Sequence, residues 1–312
     1  MISLIISSIR QLTPRIRAYE LRDANGQDLP LIAAGAHLKI PIIREDTTTE
    51  FRYYSICSNP AQRDTYEIAV QADEDGYSAI QDFFTMNLQF TCEPPSNHFP
   101  LHADTSPTVL IAGGIGITPI KPMAQTLARR GRRFQLHYAG RSRKEMAFND
   151  FLSNEFQHNY FAYPADEGKR LDVIKLLSEA AHNAMIYACG PQALIEATYN
   201  AASSLGISKD RIHSEASSTK QNENEKPVIL ELIRSNKLIH VDATQPLLAA
   251  IRDAGVNVDF DCCVGECGTC AVKIIEGEAD HRDTVLDEAS RANGMICICV
   301  SRANSEKLIL DL

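Results

Sequence analysis

The sequence predicts a multidomain fold, with an antiparallel β-barrel followed by an α/β domain on a parallel sheet and then a β-grasp domain. Three observations predict it. From about Asp104 to Glu215, short apolar strands (TVLIAGG, FQLHYAG, YFAYPA, MIYACGP) alternate with helical stretches such as IKPMAQTLARRG and LDVIKLLSEAA, the order of a parallel sheet. The stretch from Ser217 to Pro227, SSTKQNENEKP, is polar throughout and cannot fill a core, so it reads as a linker. After it, a hairpin, a helix and a cysteine-bearing loop follow one another in β-grasp order.

The first segment, MISLIISSIR, lacks a leading basic region and a small-residue cleavage site, so it reads as a first β-strand. The next strands are broken by Pro, Gly and Asp turns, with one helix near Ala79–Phe84, which fits a small barrel. In the α/β segment the strand Thr108–Ala112 runs into Gly113-Gly114-Ile-Gly116-Ile-Thr118-Pro119 and then a helix. Glycines let the chain turn sharply beside a pyrophosphate, Thr118 is expected to cap the helix, and Pro119 suits its first turn, so unpaired amides face an anion. The spacing is not that of G-x-G-x-x-G. A second turn, Cys189-Gly190-Pro191, also follows a strand and opens a helix. Beyond the linker, VILELI and KLIHVDA alternate as hairpin strands, and QPLLAAIRDAG is a helix ending at Gly255.

Nine cysteines must be divided. Cys262, Cys267 and Cys270 form C-x4-C-x2-C, with Cys299 29 positions further on, the spacing of a plant-type [2Fe–2S] site. Three thiolates on one loop embrace two irons and a distant fourth closes the site, while Gly265 and Gly268 let backbone amides approach the cluster sulfurs. A zinc site more often shows paired C-x2-C knuckles. Cys263 would give C-x3-C, so Cys262 is kept. Cys297 and Cys299 share a face of the expected strand Met295–Val300, so alternation does not choose between them. Cys57, Cys92 and Cys189 read as small buried hydrophobes.

The length of 312 residues and 44% apolar content fit two domains or three small ones, and a net charge of −9 argues against a nucleic-acid partner. The longest uncharged apolar stretch, near Pro107–Ile120, contains three glycines and is too short to cross a bilayer, so no membrane role is expected. Thiols around a labile cluster fit a reducing compartment, and a cytoplasmic location is expected.

RYYS at 52–55, GGIGITP at 113–119, CGP at 189–191 and the cysteine loop, in this order, resemble the phthalate dioxygenase reductase type of ferredoxin–NADP reductase-like flavoproteins. The resemblance covers essentially the whole chain. It implies an FMN-binding barrel over residues 1–102, an NADH-binding α/β domain over 103–216, the linker over 217–227 and a ferredoxin domain over 228–312. It also implies a separate terminal Rieske-type oxygenase as partner. By the same resemblance Cys299, before Val-Ser-Arg, is the fourth ligand. Arg52, Tyr54 and Ser55 match the family's flavin motif: Arg52 can fork onto phosphate, Tyr54 lie on the ring system and Ser55 bond the ring edge. Gly113, Gly114, Gly116, Thr118 and Pro119 would hold the dinucleotide, Cys189, Gly190 and Pro191 would lie near the nicotinamide, and Arg141 and Ser142 match a nucleotide-contacting pair. Arg141, Arg143 and Lys144 are also cations that can receive the 2′-phosphate of NADPH.

The sequence departs from the pattern twice. Relatives carry Gly-Arg/Lys-Gly-Gly-Ser where this chain has Glu74-Asp75-Gly76-Tyr77-Ser78, so only Gly76 and Ser78 match, and either FMN is expected to bind more loosely or another base supplies the missing charge. Relatives also show His-x-Glu-x-Phe where this chain has His213, Glu215 and Ser217, with His213 and Glu215 read as structural. NADH yields two electrons together and the cluster takes one, so a flavin must stand between them. Protein residues then position and tune, and no side chain is assigned a catalytic role. Acids including Asp259, Asp261, Glu266 and Glu288 can steer the last domain onto a basic face. The rival readings are a stand-alone NADH-dependent flavin or ferric reductase and a noncatalytic iron–sulfur electron-transfer subunit.

Overall fold

Alternation sets the first sheet: Leu4 and Ile6 of β1 (Ile2–Thr13) and Tyr19 and Leu21 of β2 (Ile16–Asp23) turn inward and are sealed from water. In chain order there follow β3 (His37–Ile43), β4 (Thr49–Ser55), β5 (Tyr66–Gln71), the short helix α1 (Ala79–Phe83) and β6 (Gln89–Cys92). The computed structural model describes residues 1–43, 49–72, 79–216, 226–243, 245–260, 265, 268–283 and 285–312. These fall into two compact units, Met1–Ser217 and Ser218–Leu312.

Strands in the order β5-β2-β1-β6 make an antiparallel sheet, and β3 and β4 pair as a separate ribbon. Bridges Ile56↔Ile68 and His37↔Ser96 join ribbon to sheet around one apolar core containing Leu4, Leu21, Leu38, Ile40 and Phe84. This is the expected antiparallel half of the unit.

The same unit continues with β7 (Thr108–Gly113), α2 (Ile117–Arg129), β8 (Phe134–Gly140), α3 (Asn149–Phe156), β9 (Tyr160–Pro164), α4 (Val173–Glu179), β10 (Met185–Gly190), α5 (Gln192–Ser204) and β11 (Ile212–Ala216). All pairings are parallel, in the order β11-β10-β7-β8-β9. Because β7 is buried on both faces, it reads as an unbroken apolar run. Leu110 and Ala112 pack with Ile117 and Ile120 of α2 and Leu152 of α3, whereas Val109 and Ile111 pack with α4 and α5 through Leu176, Leu177 and Ile195. Strand order therefore reverses between β7 and β10, and the crevice at that switch point lies at the ends of the two glycine-bearing turns.

The second unit comprises β12 (Val228–Leu232), β13 (Lys237–Val241), α6 (Leu247–Asp253), β14 (Ala271–Glu276), β15 (Ala279–Asp280), α7 (Glu288–Ala292), β16 (Met295–Cys297), β17 (Arg302–Ala303) and β18 (Lys307–Leu310). Its main sheet runs β13-β12-β18-β14-β16, with β12 and β18 parallel at the centre and Leu247, Leu248 and Ile251 of α6 in the core. This is the β-grasp arrangement. One expectation is corrected: the strand expected over Met295–Val300 stops at Cys297, the last residue paired to β14. The Cys297 carbonyl then accepts the amides of Val300 and Ser301, folding the chain into a turn. No helix among the described residues is long and apolar enough to cross a membrane.

The crossover between the antiparallel and parallel sheets is held by Tyr187 of β10. Its hydroxyl accepts the His102 amide at 2.7 Å and donates to the Pro100 carbonyl at 3.3 Å, and its ring stacks between those of His102 and His213. Tyr187→Phe keeps the stack and removes both bonds, so a loss of about 1–2 kcal/mol is expected. It should appear as a lower urea midpoint with an unchanged slope.

Candidate functional site

The nucleotide loop begins where β7 ends. A Cβ on Gly113 would stand 2.8 Å from both Pro191 Cδ and Leu194 Cδ2, and one on Gly116 would stand 2.2 Å from the Cys189 carbonyl oxygen. The two turns therefore interlock, and only glycine permits the approach. Space beside Gly114 is open, and its carbonyl accepts the Tyr138 hydroxyl at 2.9 Å. An open cradle at a helix start, backed by two glycine turns at a switch point, suits a pyrophosphate. Pro119 lies in the first turn of α2 as expected. Thr118 does not cap it: Gly114–Gly116 already forms a helical turn, Gly116 holds the cap position, and the Thr118 hydroxyl donates to the Ile115 carbonyl at 2.9 Å. Cys189 and Gly190 are buried at the end of β10, and Pro191 precedes α5.

Arg141 and Ser142 follow β8 at the same end of the sheet, and the Arg141 carbonyl accepts the Asp166 amide. Beside them Arg143 is bound by Glu167 at 2.6 Å, and Lys169 reaches the same carboxylate at 3.0 Å. These hydrogen bonds hold Glu167 below the ordinary carboxylate range.

On β4, Arg52 and Tyr54 share a face opposite Ile40 and Leu38, and Ser55 pairs with His37. Arg52 is exposed, while the half-buried Tyr54 ring meets Phe84 edge-on at 5.8 Å. A cation and an aromatic two residues apart fit a flavin phosphate and ring. Gly76 and Ser78 lie outside the described residues.

Cys262 and Cys267 likewise lie outside the described residues, and no three ligating side chains form a metal site among the described ones. Cys270, Cys297 and Cys299 are all buried. Hydrogen bonds from Cys297 and Cys299 hold the Cys270 thiol below its ordinary value. Cys297 thus lies at the end of the strand and Cys299 in the turn beyond it, so the two candidate fourth ligands are not related by strand alternation. The wall is built by Asp283, whose carboxylate is sealed from solvent and accepts from Ser301 Oγ at 3.2 Å, the Leu286 amide at 3.0 Å and Arg291 at 3.3 Å. Gly265 leans on that wall: its Cβ would lie 2.9 Å from Asp283 Cα and 2.7 Å from Val300 Cγ2. The thiol set and the glycine approach suit a cluster.

Residues 230–304 match the 2Fe-2S iron-sulfur cluster binding domain family, and residues 110–200 match the oxidoreductase NAD-binding domain family. A phthalate dioxygenase reductase of solved structure, "a modular structure for electron transfer from pyridine nucleotides to [2Fe-2S]", is 33% identical, with a TM-score of 0.78 over 99% of this chain and 97% of that one. The chain belongs to the phthalate dioxygenase reductase family. It is an NADH-dependent iron–sulfur flavoprotein oxidoreductase. Similar family members include the vanillate O-demethylase oxidoreductase of Acinetobacter baylyi, 35% identical over 99% of this chain and 98% of that protein. The carnitine monooxygenase reductase subunit of Acinetobacter baumannii is 33% identical over 99% and 97%.

Sequence reasoning passed over Asp283, Lys121 and Glu67. A signal existed for Lys121, the one charge inside the stripe Ile117, Ile120, Lys121, Ala124 at helical spacing.

Glu215, at the end of β11 opposite Cys189, has an Oε2 sealed from water with no hydrogen-bond donor among the described residues, and burial pushes its pKa up to about 7. A raised folded value means the stabilising state is protonated: the contribution is complete below the ordinary carboxylate range and is lost as pH climbs towards 7. Melting across that window should show the wild type losing stability relative to Glu215→Gln. Separately, Gly116→Ala should separate the two turns, weakening NADH binding at least about tenfold by fluorescence titration and lowering the melting point.

Proposed function

We propose that the protein is the reductase component of a two-component Rieske-type oxygenase, carrying electrons from NADH through FMN and the [2Fe–2S] cluster to the terminal oxygenase. The observation that carries this reading is one chain holding both interlocked nucleotide turns and a pocket in which Cys270, Cys297 and Cys299 are all buried. Relatives named for vanillate O-demethylase and carnitine monooxygenase support an oxygenase as recipient. Bound FMN would take the hydride pair from NADH and release its electrons singly.

In this reading residues 1–102 hold FMN, with Arg52 on the phosphate, Tyr54 against the ring system and Ser55 at its edge, joined by Gly76 and Ser78. Residues 103–216 hold NADH. Gly113, Gly114, Gly116, Thr118 and Pro119 surround the pyrophosphate, Cys189, Gly190 and Pro191 border the nicotinamide, and Arg141 and Ser142 contact the nucleotide. Glu167 neutralises Arg143 beside that loop, which favours NADH over NADPH because a 2′-phosphate would meet an engaged cation and an acid. Residues 228–312 hold the cluster on Cys262, Cys267, Cys270 and Cys299. Exposed Asp259 and Glu288 supply negative charge for steering to a basic oxygenase face, and the cytoplasm supplies the reducing setting.

Anaerobic addition of NADH to purified protein should bleach flavin and iron–sulfur bands together. Flavin bleaching without a cluster signal would favour a simple flavin reductase, and no bleaching would sink the assignment. Cys270→Ser should abolish turnover with a Rieske-type oxygenase while leaving NADH-driven reduction of ferric chelates.

A further inference from the structure

Lys121 occupies a core position of α2, with only 6% of its surface exposed. Its ammonium donates to the Cys57 carbonyl at 2.7 Å and to Glu67 Oε2 at 3.4 Å, and it lies over the rings of Phe148 at 4.6 Å and Phe151 at 5.2 Å. Glu67, on β5, has a side chain 11% exposed, and Arg10 of β1 binds its other oxygen at 2.5 Å. Cys57 Sγ approaches the same carboxylate at 3.6 Å. Phe148, the residue before α3, has a left-handed φ of +61°. The cage is therefore built from both halves of the unit.

What the cage joins gives it meaning. Cys57 is the second residue after Ser55, at the end of the strand carrying the flavin motif, and Glu67 belongs to the sheet behind it. Lys121 belongs to the helix opened by GGIGITP. One ammonium thus ties the flavin strand to the nucleotide helix. Apolar packing around it, with Ile16, Ala34 and Ala69 against Ile117 and Ile120, holds the halves together but does not by itself fix how they slide. A buried ion pair is a poor source of stability: exchanging it for apolar residues of similar size is often neutral or favourable, whereas removing one partner is costly. What the pair adds over an apolar contact is direction.

We infer that the Lys121–Glu67 pair is a positioning device that sets the nucleotide helix against the flavin strand, and so sets the distance across which hydride passes. Neither residue is catalytic; both act through the elements they tie. The inference rests on the proposed NADH-to-FMN transfer. A displacement of about 1 Å can slow such a step on the order of a hundredfold.

The test uses full-length holoprotein with Lys121→Met, and with Lys121→Met combined with Glu67→Leu. Urea unfolding and FMN affinity are measured beside the stopped-flow rate of flavin reduction by NADH and by NADH deuterated at C4. A further readout is the long-wavelength absorbance formed when NAD+ is added to dithionite-reduced protein, which reports stacking of the two rings. The single variant should lose stability and the double variant should regain most of it. Both should reduce flavin about 10- to 100-fold more slowly, with a full isotope effect, weakened stacking absorbance and wild-type FMN affinity. A double variant that regains stability and reduces flavin at the wild-type rate overturns the inference, leaving the pair a matter of folding alone. If the double variant does not fold, Lys121→Arg, which keeps the charge but changes its reach, gives the same reading: slowed reduction with wild-type melting supports positioning, and a wild-type rate refutes it. Failure of wild-type flavin to be reduced by NADH would instead strike the proposed function.

Discussion

Much of the first unit depends on one close approach. The Cys189 carbonyl occupies the space that a side chain at position 116 would need, and Pro191 and Leu194 occupy the space at position 113. The two turns can meet only because neither carries a Cβ there. Their meeting fixes where α2 and α5 begin, and with them which helices cover which face of the parallel sheet. The crevice for a dinucleotide is thus a by-product of a packing contact, backed by the fully buried central strand β7.

The second unit solves a different problem with similar means. Here a buried charge, not a glycine contact alone, holds the wall of the site. Asp283, inaccessible to water and bonded to Ser301, Leu286 and Arg291, stiffens a wall against which the ligand loop rests at Gly265. A buried carboxylate with several donors is tolerable where an isolated one would be expelled. Lys121 and Glu67 follow the same rule in the first unit, where two rings and a carbonyl complete the ammonium's surroundings.

The fold was legible in the sequence because its signals are local. Alternation marks β1 and β12, the glycine turns mark the strand–helix junctions, and the polar linker marks the division between units. The candidate site was legible where a residue type has few alternative uses, as with Gly113 and Gly116, at whose positions the neighbouring turn leaves no room for a Cβ. Thr118 was misjudged because a helical turn upstream took over the start of α2, an outcome set by the packing of Gly116 on Cys189. The extent of β16 was misjudged because its end is decided by the length of its partner β14, not by its own apolar run. Asp283 and Glu67 were invisible because a lone acid in a strand or loop looks the same whether it faces water or a buried cation. Only Lys121 betrayed itself, by standing in an apolar stripe.

The pairing of β12 with β18 has a consequence for how the chain is made. The first strand of the second unit finds its central partner in β18, the last described strand, and the wall behind Gly265 comes from residues downstream of it. This unit cannot close its sheet until residues 307–310 have been made. The first unit, whose residues all precede the second, can fold while the rest emerges. A chain cut short after the linker would keep the first unit whole and leave the second without any of its sheet.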